Sequence, residues 1–126
     1  MNFFKIYPEH KFIHTWTTGS DSDSLLEFYK EVAAHADFSK NFMGLADIRD
    51  ASLDFSPEQA ISIARFVIDS DYTHSRWVFL VSEPSATALS LLYQDIVIAK
   101  HEIFVVSTLE AASEYLGLNL KTIINN

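Results

Sequence analysis

Three short apolar runs, each followed by a helix-start signal, constrain this chain more than any other feature. They are Met43-Gly-Leu-Ala-Asp-Ile48, Trp77-Val-Phe-Leu-Val81 and Glu102-Ile-Phe-Val-Val-Ser107. Runs this short and this continuous are expected of strands covered on both faces. Behind the first stands Ser56-Pro57-Glu58-Gln59, in which Ser caps, Pro takes the first helical position and Gln completes a capping box. Helical spacing then runs through Ala60, Ile61, Ile63, Ala64, Val67 and Ile68 to about Ser70. Behind the second, Ser82-Glu83-Pro84-Ser85 opens a helix to about Lys100 that is apolar on more than one side. Behind the third, Thr108-Leu-Glu110 opens a helix carrying Ala112, Tyr115 and Leu116 and closed by Gly117.

The segments upstream are of a different kind. Residues 3–7 and 11–17, rich in aromatic and β-branched types, flank Pro8-Glu9-His10 and predict an antiparallel hairpin. Phe12, His14 and Trp16 share one strand face; Ile13, Thr15 and Thr17 share the other. Residues 22–36 carry apolar side chains at helical spacing, and the tail at 119–126 offers Leu120, Ile123 and Ile124 for a further turn. The order β-β-α-β-α-β-α-β-α predicts one α/β domain over residues 1–126. Its sheet is expected to be open and mostly parallel, of about five strands, with an N-terminal antiparallel hairpin and about four helices.

Lys plus Arg number 9 and Asp plus Glu 17, so the net charge of −8 repels phosphate backbones and anionic headgroups. Nucleic acid is not an expected partner, and no apolar stretch approaches the ~20 residues of a membrane-inserted span. The absence of Cys removes thiolate chemistry and disulfides. The N-terminus lacks a signal-peptide pattern, and the expectation is a soluble cytoplasmic protein.

Three segments resemble the SpoIIAA-like branch of the STAS (anti-anti-sigma-factor) superfamily, together covering roughly residues 3–118. Leu45-Ala-Asp-Ile-Arg-Asp-Ala-Ser-Leu-Asp-Phe-Ser56 looks like the family's central strand and exit loop. Arg76-Trp-Val-Phe-Leu-Val-Ser82 is similar to the next strand with its leading basic residue. Phe104-Val-Val-Ser-Thr-Leu-Glu-Ala-Ala-Ser-Glu-Tyr-Leu-Gly117 looks like the closing strand and helix. The resemblance implies a STAS-like fold, and for the sigma-factor regulators a phosphorylatable Ser at the start of the helix after the central strand. That motif is usually Asp-Ser-Ser-Gly-Leu. Here it reads Phe55-Ser56-Pro57-Glu58-Gln59, which keeps one hydroxyl, on Ser56, as a candidate phosphoacceptor.

Asp47, near the C-terminal end of its strand, is the second candidate acceptor, as in response-regulator receivers. With Asp50 and Asp54 it also forms an acidic corner that could hold Mg²⁺. Receiver chemistry wants a Lys ending the last strand, whereas this strand ends Ser107-Thr108, and Arg49 suggests local ion pairing instead. Ser56, Ser82 or Ser85, and Thr108 all begin helices at one sheet edge, so with Arg49 they are candidates for an anion- or ligand-binding edge; capping alone also explains them. The five His show no metal-ligand spacing, and no glycine-rich phosphate loop or nucleophile elbow occurs, so no metal, cofactor or enzymatic activity is expected. His14 reads as a covered sheet residue. In the helix at 86–99, Leu89, Leu92, Tyr93 and Ile96 are candidates for buried packing, a homodimer interface or an apolar pocket.

The function expected is that of a non-enzymatic STAS-like module acting by protein–protein or small-molecule binding. The alternatives are a phosphorylation-controlled switch on Ser56 or Asp47, and a carrier or sensor of an apolar ligand beside helix 86–99.

Overall fold

Consecutive parallel strands lie side by side in this protein, and that adjacency decides where every helix goes. The computed structural model describes residues 1–98 and 100–124. β1 (Asn2–Tyr7) and β2 (Phe12–Thr17) form the antiparallel hairpin, joined by one 3-10 turn and a left-handed Lys11. β3 (Gly19–Ser20) pairs in parallel with β5 (Ser52–Leu53) as a small separate ribbon. β4 (Met43–Asp47), β6 (Trp77–Leu80) and β7 (Ile103–Val106) extend β2 in parallel, giving the order β1-β2-β4-β6-β7. The helices are α1 (Ser22–Ala34), α2 (Pro57–Asp69), α3 (Pro84–Val97), α4 (Leu109–Leu116) and α5 (Leu120–Ile124).

Each crossover, through α1, α2 and α3 in turn, steps to the next strand in the same direction. Right-handed connections therefore place all three helices on one face. The core divides accordingly. On that face Ile13, Phe28, Val32, Ile63, Val67, Trp77, Tyr93 and Val97 pack together. On the other, α4 and α5 bring Leu116, Leu120 and Ile123 against Phe12, Leu45, Val78 and Leu80. Neighbouring residues Phe12 and Ile13 fall into different halves because strand side chains alternate. Each large side chain so buried contributes about 1.5–3 kcal/mol.

Several expectations are corrected. Five α-helices form among the described residues, the fifth being the further turn offered by the tail, where Leu120 and Ile123 find buried positions. Ala99, Asn125 and Asn126, within the expected helix and tail, lie outside the described residues. α1 ends at Ala34 instead of residue 36. The β3–β5 ribbon was not expected at all, since two-residue strands carry no readable period. The parallel strands never reverse their order, so the sheet lacks the switch-point crevice in which open α/β sheets bind ligands. No helix among the described residues is long and apolar enough to cross a membrane.

Candidate functional site

β4 delivers Asp47 to the C-terminal edge of the sheet, where the chain is tied down at once. The Ile48 amide donates to the Leu80 carbonyl at 2.9 Å, Ala51 turns inward, and the Asp54 amide donates to the Ser20 carbonyl at 3.1 Å. The Asp47 carboxylate accepts a fork from Arg49, Nε at 3.0 Å on one oxygen and Nη2 at 2.7 Å on the other. The Arg49 amide donates to it as well, at 3.1 Å. The hydrogen bond to Asp47 is the main reason that the Arg49 guanidinium is held above its ordinary pKa. Asp50 and Asp54 are exposed, and no three acidic or His side chains among the described residues converge on a metal position. The acidic corner is an ion pair with solvated neighbours, so the Mg²⁺ arrangement is not formed.

The row of hydroxyl-capped helix starts also dissolves. Ser56 does cap α2, accepting from the Gln59 amide at 3.2 Å while Gln59 Oε1 accepts from the Ser56 amide at 2.8 Å. Thr108 caps α4, accepting from the Ala111 amide at 3.1 Å. Ser82 does not cap α3; its hydroxyl donates to the Arg49 carbonyl at 2.7 Å, and Ser85 lies exposed inside the helix. Glu83 holds the cap position without a side-chain bond. Since α2 and α4 cover opposite faces, Ser56 and Thr108 do not share an anion site.

His14 is 8% exposed and stands between the rings of Trp16 at 4.7 Å and Phe12 at 6.5 Å. Its Nε2 has no partner among the described residues, and burial lowers its pKa to about 4, with Asp47 opposing the shift and Arg49 adding to it. The imidazole is therefore neutral near pH 7, as a covered sheet residue would be.

A small, partly enclosed and mostly apolar feature lies on the opposite face, under the C-terminal ends of β2, β4 and β6. A cavity of about 60 Å³ opens there between the sheet and α1, α2 and α3. Its floor is buried and made by Phe28 of α1, Ala60 and Ile63 of α2, and Tyr93 of α3. Its rim is part-buried: Leu53 and Phe55 come from the chain between β4 and α2, and Leu89 from α3. None of the described residues lining it is charged. Burial raises the Tyr29 and Tyr93 hydroxyl pKa values well above the ordinary one, so these walls stay neutral as well.

Of the four residues singled out on α3, Leu89 and Tyr93 line this cavity, whereas Leu92 and Ile96 are part-buried away from it. Ile96 packs into the helix-side core. The outer side of α3 is left open, with Leu91 and Ile98 at 47% and 61% exposure. Four polar residues, Asn2, Thr15, Thr17 and Ser90, also line the cavity, beyond what the sequence leads one to expect. The signal was present as a Thr and a Ser among the inward positions of β2 and α3, where periodicity calls for apolar side chains. No protein-family model, curated protein or solved structure matches this chain.

Proposed function

We propose that this protein is a non-enzymatic, STAS-like cytoplasmic binding module that holds a small, mostly apolar molecule in the cavity between the sheet and α1–α3. The observation that carries the reading is the uncharged, largely apolar wall at the C-terminal sheet edge, assembled from three helices and five strands. The STAS-like part is supported by where the three family-like segments fall. Residues 45–56 run from β4 through β5 to the α2 cap, 76–82 contain β6 with Arg76 leading, and 104–117 span β7 and α4. Self-association, if it accompanies binding, would use the open side of α3 at Leu91 and Ile98. A switch on Ser56 or Asp47 has no observation in its favour, because the Ser56 oxygen caps α2 and the Asp47 oxygens are bound by Arg49.

The test is a thermal-shift and amide-NMR screen against small neutral organic molecules, repeated on Ala46→Leu, which projects into the cavity. A ligand at one hundred times its Kd stabilises the fold by about 2.7 kcal/mol, a shift of several degrees. Saturable shifts in the parent that vanish in Ala46→Leu support the reading. Absence of any saturable binder, or binding unaffected by Ala46→Leu, overturns it.

A further inference from the structure

The cavity walls also carry information about the chemistry of what fills them. Thr15 and Ser90 are 5% and 3% exposed, both line the cavity, and neither hydroxyl makes a hydrogen bond to any described residue. Their near neighbours are different. In the helices Ser62 donates back to the Glu58 carbonyl at 3.2 Å and Thr87 to the Glu83 carbonyl at 2.9 Å, whereas Ser90 makes no such bond. On β2 Thr17 donates to the Met1 carbonyl at 3.0 Å and accepts from the Gly19 amide at 3.1 Å, whereas Thr15 is left alone. Asn2, another wall residue, donates from Nδ2 to Ser20 Oγ at 3.2 Å, but its Oδ1 is buried without a partner among the described residues. One of the buried polar atoms left without a partner among the described residues, Asn2 Oδ1, thus stands at this cavity beside two hydroxyls that make no bond; the others, on His14, Tyr72 and His101, belong to residues that do not line it.

We infer that the cavity takes an uncharged small molecule bearing one hydrogen-bonding group, a hydroxyl, carbonyl or amide, on a short apolar body. This rests on the binding-module reading and narrows it. A purely apolar occupant would leave the two hydroxyls and the Asn2 oxygen unmet, at the cost that buried polar groups carry. A carboxylate or ammonium would lose its water with no opposite charge among the described wall residues. The room of about 60 Å³ would hold roughly four waters at ~15 Å³ each, so the occupant has few heavy atoms unless the part-buried Leu53 and Phe55 move aside.

The experiment uses three probes on the full chain: xenon for the empty apolar space, 1-propanol as the neutral polar molecule, and propionate as its charged counterpart. Binding is read from chemical-shift titration of the Leu89 and Ala60 methyl groups, in the parent and in Ser90→Ala and Thr15→Val. Xenon and propanol are expected to saturate and propionate not to. Each substitution should weaken propanol by about three- to tenfold while leaving xenon unchanged or tighter. If Thr15→Val fails to fold, Ser90→Ala carries the comparison. Xenon binding with propanol indifferent to both substitutions, or propionate binding as well as propanol, overturns the inference and leaves the cavity reading standing. Failure of all three probes, with only ordered water in the cavity, overturns both.

Discussion

Gly44→Ala should be among the most damaging single-methyl additions this protein can receive. Gly44 lies on β4 directly beside Trp77 of β6, on the helix-side face. A Cβ built there would stand 2.2 Å from Trp77 Cε2, 2.3 Å from Cδ2 and 2.4 Å from Cζ2. Carbon atoms prefer about 3.5–4.0 Å, so the indole would have to retreat by more than ~1 Å. It has nowhere to go: Trp77 is 5% exposed, and its Nε1 donates to Thr73 Oγ1 at 3.1 Å. Thr73 Oγ1 in turn accepts from the Ser75 amide and donates to the Lys40 carbonyl. Overpacking costs about 1–3 kcal/mol and the indole hydrogen bond about 0.5–1.5, against a gain of roughly 0.5 from the stiffer unfolded chain. The sum is a loss of about 1–4 kcal/mol, or roughly 5–15 °C in Tm. Urea unfolding followed by far-UV circular dichroism would measure it. In a Trp77→Leu background, where the ring is absent, the cost of Gly44→Ala should shrink below about 1 kcal/mol. A neutral Gly44→Ala, or an equal cost in both backgrounds, would refute the close-approach argument.

Ser56→Ala should destabilise the fold by about 1 kcal/mol through loss of the α2 cap, and Ser56→Asp should recover most of it in thermal melts; no recovery would mean the hydroxyl does something other than cap. His14 should make the fold acid-sensitive. Its imidazole titrates near 6.5 unfolded but about 4 folded, so the unfolded chain takes the proton first as pH falls between those values. Stability should drop by up to roughly 3 kcal/mol across that window. The pH dependence of urea midpoints should flatten in His14→Phe; an unchanged slope would assign it elsewhere. Gln94→Ala should raise concentration-dependent association in light scattering, because Gln94 Nε2 covers the Ile103 carbonyl on the outer edge of β7 at 2.7 Å. If the variant stays as monodisperse as the parent, that edge is protected by other means.

The elements best read from sequence are those whose cause lies within four residues. Ser56 and Gln59 close their capping box on each other, and Gly117 takes the left-handed position at φ 70 that ends α4. The alternation of Phe12, His14 and Trp16 with Ile13, Thr15 and Thr17 follows from the pleat alone, and the observed two halves of the core obey it. The runs of β4, β6 and β7 were legible because a strand covered on both faces must be apolar throughout. Ser82 looks like a cap because it stands two residues before Pro84, whereas its actual partner, the Arg49 carbonyl, lies thirty-three residues away.

What sequence by itself determined is the order of strands and helices and the inward side of most of them, since propensity, capping and period act locally. Only the tertiary structure decided that α1, α2 and α3 share a face, because that depends on strand order, which no local signal encodes. It alone set Gly44 against the Trp77 ring, so that a residue unremarkable in a strand run became one where a methyl cannot fit. The cavity belongs to the same class. Its walls come from residues as far apart as Asn2 and Tyr93, and its two unmet hydroxyls matter only because packing left space beside them. Space between elements is a property of how they meet, and periodicity within each element says only which side will face it.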